Sequence, residues 1–303
     1  MSFSVTILGS SSAIPTSKRF LTAQLVNHDE RFFLIDCGEG TQIQLRKYKK
    51  KIARINHIFI SHLHGDHIFG LFGLLSTFSM LGRRNQLHIY SDPILKKLLT
   101  EHLDFFQKEI NYPIIYHPIS SKKSQIIYDD GKLEVSTIPL LHRVPCVGFL
   151  FREKQKPCNV RKELIGFYNL GIKDILKLKN GEDYLKDNGE KIANEILTIA
   201  PPPAKSFAYC TDTKAKESIL KYINKIDLLY HEATFQDEDK ELAKKTFHST
   251  ATQAANLALK ANVKKLVIGH FSSRYKKEIN FLNEAASIFP NTLLAEDGIE
   301  IEI

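Results

Sequence analysis

The sequence predicts an α/β protein, and three observations carry that expectation. Short apolar or β-branched runs recur along the chain, several of them closed by Gly, Asp or His, which is the pattern of buried strands. Helical patterns lie between several of them, so strands and helices alternate. Residues 152–200 interrupt the rhythm once, with scattered glycines and a closing Pro201-Pro202-Pro203, and read as an insertion.

The strand runs fall at residues 5–8, 32–35, 57–60, 87–90, 133–139, 147–151, 207–210, 228–230 and 265–268. Helices are expected at 41–48, 68–81, 93–106, 214–223 and 250–261, where apolar residues recur at helical spacing. A chain of 303 residues can bury a sizeable core as two domains or as one large sandwich or barrel. With 43% apolar and 25% charged residues it reads as a folded, soluble protein, neither disordered nor membrane-embedded.

A formal charge of +8 and a pI near 9.1 favour a polyanionic partner such as nucleic acid. The excess is local: residues 152–179 carry eight Lys or Arg against three Asp or Glu, on what reads as an extended element. That insertion is either a solvated loop or a nucleic-acid-binding arm. Cys37, Cys146, Cys158 and Cys210 form no CxxC pair in a chain too large to need disulfides, which points to a reducing compartment. The start of the chain reads as a first strand rather than a signal peptide, and no apolar run approaches the ~20 residues of a membrane span, so a cytoplasmic protein is expected.

The chemistry concentrates in His62-Leu63-His64-Gly65-Asp66-His67, directly after the strand run at 57–60. In extended backbone, residues two apart point the same way, so His62 and His64 can face one point while Leu63 faces the core. Gly65 is expected to make a tight turn that aims Asp66 and His67 at a neighbouring point. A single histidine is usually structural, but burying three imidazoles and a carboxylate together leaves polar groups that a metal ion satisfies. Three more donors follow strand runs: His142, Asp212 and His270. Strand ends converge on one crevice in α/β sheets, and a carboxylate can bridge two ions. The expected assignment is His62, His64 and His142 on one ion, Asp66, His67 and His270 on the other, and Asp212 on both. Such His/Asp donors suit zinc first, with manganese or iron as alternatives.

The pattern His62-x-His64-x-Asp66-His67, with its later His, Asp and His, resembles the metallo-β-lactamase fold superfamily over essentially the whole chain. Within it, Asp36-Cys37-Gly38-Glu39-Gly40-Thr41-Gln42, Thr211-Asp212-Thr213, His231-Glu232-Ala233-Thr234-Phe235, His248-Ser249-Thr250 and Gly269-His270-Phe271-Ser272-Ser273-Arg274-Tyr275 are similar to the tRNase Z (ribonuclease Z) family. The resemblance implies an αββα sandwich, 1–303, with 152–200 as an inserted exosite arm. It also implies an endoribonuclease that removes the 3′ trailer from precursor tRNA with two zinc ions, acting as a homodimer in which one subunit's arm holds the tRNA that the other cuts. Asp66 is the expected acceptor of the attacking water's proton, and His248 the expected donor to the leaving oxygen, held by His231 or Glu232. Asp36, Gly38 and Thr41 read as support around the site, and Arg274, Lys276 and Lys277 as phosphate contacts or a surface run.

Two segments depart from the family pattern. Members often carry PxKxRN near the amino terminus, where this chain has Pro15-Thr16-Ser17-Lys18-Arg19-Phe20, and a Gly-Pro element in the arm, where it has Gly171-Ile172. The competing readings are a small-molecule hydrolase of the same superfamily (lactonase, thioesterase or cyclic-nucleotide phosphodiesterase) and a silent RNA-binding subunit, whose signature would be lost ligands. Every donor position here is filled.

Overall fold

Two mixed seven-stranded sheets lie face to face in the computed structural model, which describes residues 2–106 and 110–303. The chain begins β1 (Phe3–Gly9), β2 (Ala23–His28), β3 (Arg31–Ile35), β4 (Ile55–Phe59), β5 (Leu87–Ser91) and β6 (Ile114–Pro118). Next come β7 (Ile126–Asp129), β8 (Leu133–Pro139) and β9 (Val147–Glu153), then four two-residue strands, β10 (Asn159–Val160), β11 (Tyr184–Leu185), β12 (Lys191–Ile192) and β13 (Thr198–Ile199). The last are β14 (Ser206–Cys210), β15 (Leu228–Glu232), β16 (Lys265–Gly269), β17 (Thr292–Leu294) and β18 (Glu300–Glu302). The first sheet runs β18-β1-β2-β3-β4-β5-β6 and the second β17-β16-β15-β14-β9-β8-β7. In each, an antiparallel part joins a parallel part: β3 to β6 are parallel in the first, β14 to β17 in the second.

The period of two explains the layers. Phe33 and Ile35 of β3 and Phe59 of β4 face the second sheet, where they meet Phe149, Phe151 and Phe207. Ring centroids of Phe59 and Phe149 are 5.5 Å apart, and those of Phe33 and Phe151 5.9 Å. Leu34 and Ile58, one residue out of phase, face outward onto α1 (Thr41–Lys47), α2 (Gly65–Met80) and α3 (Ile94–Phe106) through Leu45, Leu71, Leu74, Leu95 and Leu99. A short α4 (Lys162–Phe167), α5 (Ile172–Lys179), α6 (Asn194–Leu197) and α7 (Leu220–Ile223) precede α8 (Lys240–Thr246), α9 (Ala251–Lys260) and α10 (Ile279–Ala286). Ala254, Ala255 and Ala258 of α9 and Phe281 of α10 cover the second sheet. The result is the expected αββα sandwich, and no helix among the described residues is long and apolar enough to cross a membrane.

The insertion is not an extended element. Its ends pair as β10 and β13, and between them Leu170, Leu178, Ile192 and Leu197 bury each other in a small core of their own. Apolar residues at 164, 165, 170, 175 and 178 have helical rather than strand spacing, so the segment folds on itself as α4 and α5. Asn194 closes it, donating through Nδ2 to the carbonyls of Leu178 and Glu182, both at 2.8 Å.

The helix expected over 214–223 is shorter. The Thr213 amide donates to Glu232 (2.8 Å) and the Lys214 amide to the Leu141 carbonyl (2.9 Å), so these residues serve the site and only the 3-10 turn Glu217–Ile219 and α7 remain helical. Strands β2, β6, β7, β17 and β18 and helices α8 and α10 were not among the expected elements. Several of them are brief, and others, such as Ile114-Ile115-Tyr116 of β6, Ile126-Ile127-Tyr128 of β7 and the amphipathic α10, carry apolar residues that the sequence reading passed over.

Candidate metal centre and active site

The donors converge because their strands end at one edge of the sandwich. His62 and His64 follow β4, His142 follows β8, Asp212 follows β14 and His270 follows β16. Asp36, Asp212 and His270 adopt left-handed backbone, with φ of 55°, 43° and 62°. Such a conformation costs a residue with a Cβ about 1–2 kcal/mol, a strain that functional sites commonly hold.

His64 is not followed by a turn. It caps α2, and Gly65, Asp66 and His67 form the helix's first turn, where an acidic side chain is favoured by the helix dipole. Gly65 has no left-handed φ; a Cβ there would meet the ring of Phe69 instead.

Around one point lie His64 Nδ1, 3.0 Å from His62 Nε2 and 3.3 Å from His142 Nε2, with Asp212 Oδ2 3.5 Å from His62 and 3.8 Å from His142. Around the next, His67 Nε2 is 3.4 Å from Asp66 Oδ2 and 3.2 Å from Asp212 Oδ1. His270 Nε2 is 3.5 Å from Asp66 Oδ2 and 3.0 Å from Asp212 Oδ1. Asp212 thus offers one oxygen to each group. Nitrogens held at ~2.0–2.1 Å by a tetrahedral ion lie roughly 3.3 Å apart, so these are spacings that a shared ion accommodates. Nε2 of His67 and Nε2 of His270 are fully buried and have no hydrogen-bond partner among the described residues. An orphaned buried polar atom costs about 1–3 kcal/mol, and two aimed into one carboxylate-lined space fit a bound cation.

The rings are fixed from behind. His67 donates through Nδ1 to Asp36 Oδ2 (2.9 Å), and His62 Nδ1 donates to Ser61 Oγ (3.0 Å), which donates to the same Asp36 oxygen (2.8 Å). The Tyr209 hydroxyl reaches that oxygen across the sandwich at 2.7 Å. Each bond fixes its ring and turns the opposite nitrogen toward the centre. Asp66 is held well below the usual carboxylate range, because His67 and His270 outweigh the upward push of burial. For His67, burial is outweighed in the other direction by Asp212, Asp66 and Asp36, which hold its pKa well above the usual imidazole value.

His248 lies beside this cluster, its ring stacked 5.6 Å from that of His270. Its Nδ1 donates to Glu232 Oε1 at 2.9 Å, and Glu232 is fully buried. Burial alone would lower the imidazole pKa, but the Glu232 carboxylate outweighs it and pushes His248 up to about 9. Glu232, not His231, therefore holds His248. Neighbouring strand residues face opposite ways, and His231 donates instead to the Glu232 carbonyl at 2.7 Å.

A cleft of about 290 Å³ opens over the site, lined by His64, Asp66, His142, Asp212, His248 and His270 with Ser12, Ala13, Arg143, Phe235 and Ser272 at its rim. Over 301 residues, covering 99% of each chain, the sequence is 48% identical to ribonuclease Z of Bacteroides fragilis. It is 50% identical to ribonuclease Z of Bacteroides thetaiotaomicron over 99% of this chain and 95% of that one. The chain belongs to the ribonuclease Z family. The crystal structure of the short form of human tRNase Z superposes with a TM-score of 0.71 at 27% identity, covering 98% of both chains. The metallo-β-lactamase fold protein YhfI of Bacillus subtilis, at 16% identity and a TM-score of 0.70 over the full length of both, shares the fold. Residues 3–154 match the family model described as anti-Pycsar protein Apyc1, a match that ends at the start of the arm and before Asp212, Glu232, His248 and His270.

For a ribonuclease Z family member, the loop of residues 15–20 has an unexpected anchor. Arg19 is half-buried, paired with Glu278 (3.1 Å) and packed over the Phe271 ring (4.8 Å), so it braces the wall next to His270. Arg274 lies 5.2 Å over the cleft-lining Phe235 ring and 3.7 Å from Asp239. Sequence reasoning did not single out Ser61, Tyr209, Thr234 or Arg143. Only adjacency to a ligand or a motif could have pointed to Ser61, Thr234 and Arg143, and Tyr209 reaches Asp36 solely through the fold.

Proposed function

We propose that this chain removes the 3′ trailer from precursor tRNA, leaving a 3′-hydroxyl on the tRNA and a 5′-phosphate on the trailer. We further propose that it works in the cytoplasm as a homodimer with two zinc ions per subunit. The observation that carries this reading is the seven-donor cluster with the Glu232–His248 pair beside it, in a chain related over its whole length to ribonuclease Z. His62, His64, His142 and Asp212 would hold one ion, and Asp66, His67, His270 and Asp212 the other. Bound there, the ions supply a water nucleophile at neutral pH and stabilise negative charge on the scissile phosphate.

The chain's own residues do the rest. Asp66 is ionised and faces the cleft, and so low a pKa suits it to orienting the attacking water more than to keeping its proton. His248, protonated at neutral pH through its bond to Glu232, gives a proton to the leaving 3′ oxygen. Arg143 at the rim is placed to meet a flanking phosphate, and the basic arm supplies grip distant from the chemistry. The arm leaves at the end of β9, which starts at the site, where the Val147 amide bonds to Ser61, and runs away from it. An arm rooted at the far end is better placed to hold a tRNA cut by a partner subunit than one in its own cleft.

The test is to incubate the enzyme with precursor tRNAs with and without an encoded CCA and to map the 3′ ends. Cleavage at the trailer junction is expected, abolished by Asp66→Ala or His64→Ala while tRNA binding survives. Full activity in either variant, or turnover of bis-p-nitrophenyl phosphate with no cleavage of precursor tRNA, would overturn the reading.

A further inference from the structure

Both ion sites are backed by a hydroxyl between an imidazole and a buried carboxylate. On one side these are Ser61, His62 and Asp36. On the other, Thr234 Oγ1 lies 2.6 Å from Glu232 Oε2, 2.9 Å from His270 Nδ1 and 3.3 Å from His248 Nδ1. Thr234 is 4% exposed, Glu232 0% and His270 1%, so no solvent competes for these bonds.

The hydroxyl has a single proton, and the carboxylate, its shortest contact, takes it. Toward His270 it can then only accept, which forces the proton of that imidazole onto Nδ1 and turns the lone pair of Nε2 toward Asp66 and Asp212. The same carboxylate accepts from His248 Nδ1 through its other oxygen, Oε1. The backbone amides of Thr213 (2.8 Å) and Thr234 (3.1 Å) fill the rest of Glu232's accepting capacity and lock its orientation.

We propose that Thr234 is a positioning residue that sets the tautomer of His270 and, through Glu232, couples the Asp66–His67–His270 ion site to the His248 proton donor. The inference rests on the two-ion reading of the cluster but not on the identity of the RNA substrate. Without the hydroxyl, His270 Nδ1–H loses its buried acceptor. Its proton can then move to Nε2, which closes the lone pair to a cation, and Glu232 loses a hydroxyl donor. Thr234→Ser keeps the hydroxyl, whereas Thr234→Val keeps the shape and removes it.

The test is a cobalt titration of metal-stripped protein, followed by calorimetry and the visible spectrum of the bound ion, on wild type, Thr234→Val and Thr234→Ser. Expected for Thr234→Val is one ion bound as in wild type and a second weakened roughly 10–100-fold, the usual consequence of removing such a partner. Thr234→Ser should recover wild-type binding. Tight binding of both ions by Thr234→Val would overturn the proposal. Should that variant not fold, the nitrogen-15 shifts of His270 in wild-type metal-stripped protein decide: protonation at Nδ1 supports the relay, and protonation at Nε2 overturns it. None of these readouts uses RNA, so failure of the tRNA reading would leave them unchanged.

Discussion

At the scale of single residues, the site is divided between groups that face the cleft and groups that fix them from behind. His248 belongs to the first kind, yet together with Asp212 and His270 it also forms a donor group that a cation could occupy. Its bond to Glu232 favours the proton donor, because a histidine with Nδ1–H on a carboxylate and a pKa near 9 carries a proton at neutral pH. We expect His248→Ala to lower kcat by about 10²–10⁴-fold, with KM and bound metal unchanged. Loss of an ion in that variant, measured by elemental analysis, would make His248 a ligand instead. His231 has a different prospect: its ring bond is to the Glu232 carbonyl, so a loss in His231→Ala should follow folding stability rather than the chemical step.

At the scale of elements, α2 carries the candidate donors Asp66 and His67 in its first turn and packs backbone to backbone on the loop that follows β3. A Cβ on Gly70 would lie 2.0 Å from the Gly38 carbonyl oxygen, and one on Gly38 would lie 2.5 Å from the Asp66 carbonyl oxygen. Neither backbone can retreat without moving Asp66. Gly70→Ala should therefore destabilise the protein by about 1–3 kcal/mol or more and reduce metal content. Gly65→Ala should cost little, because the exposed Phe69 ring can swing aside. Denaturant midpoints of the two variants check the contrast, and equal losses would refute it. The arm is a second separable element, closed by the pairing of β10 with β13 and filled by its own apolar cluster. Replacing residues 157–201 with a short linker should leave the sandwich folded and flatten the salt dependence of tRNA affinity. Every phosphate that the arm no longer neutralises should reduce the slope by roughly 0.7–0.9. An unchanged slope would make the arm a loop.

At the scale of the molecule, stability depends on histidines that the site does not use. His57, His88 and His117 stack across β4, β5 and β6, with His57 and His88 ring centroids 4.9 Å apart and His88 Nδ1 2.9 Å from His117 Nε2. Burial first, then the neighbouring His88, His117, Arg83 and Arg31, push His57 down to about 3; His88 and His117 are also lowered, chiefly by burial. The folded state keeps His57 neutral while the unfolded chain takes up a proton near pH 6.5. Its contribution is full above that pH and is lost as pH falls toward about 3, at up to about 1.4 kcal/mol per pH unit. Urea midpoints at pH 7, 5.5 and 4.5 should fall progressively, and His57→Gln should make the fall shallower. An identical pH dependence in the variant would refute the assignment.

The fold class, and the seven side chains that the fold gathers at one edge of the sandwich, were both legible in the order of residues alone. Strand runs ending in His or Asp are local signals, and four donors in six residues, His62 to His67, have few explanations other than a cation. The arm was also legible as an insertion, since residues 152–200 break the alternation, although their charge hid the helical spacing that folds them. Contacts between residues distant in sequence required the folded chain. They assigned His248 to Glu232 rather than His231, made Gly65 part of a helix, and drew Lys214 out of one. They also brought Ser61, Tyr209 and Thr234 behind the ligands. A hydroxyl carries no periodicity, and its role is set by which buried carboxylate lies within 3 Å: for Ser61 that is decided by two neighbouring strands, for Thr234 by the turn after β15, and for Tyr209 only by packing the two sheets together.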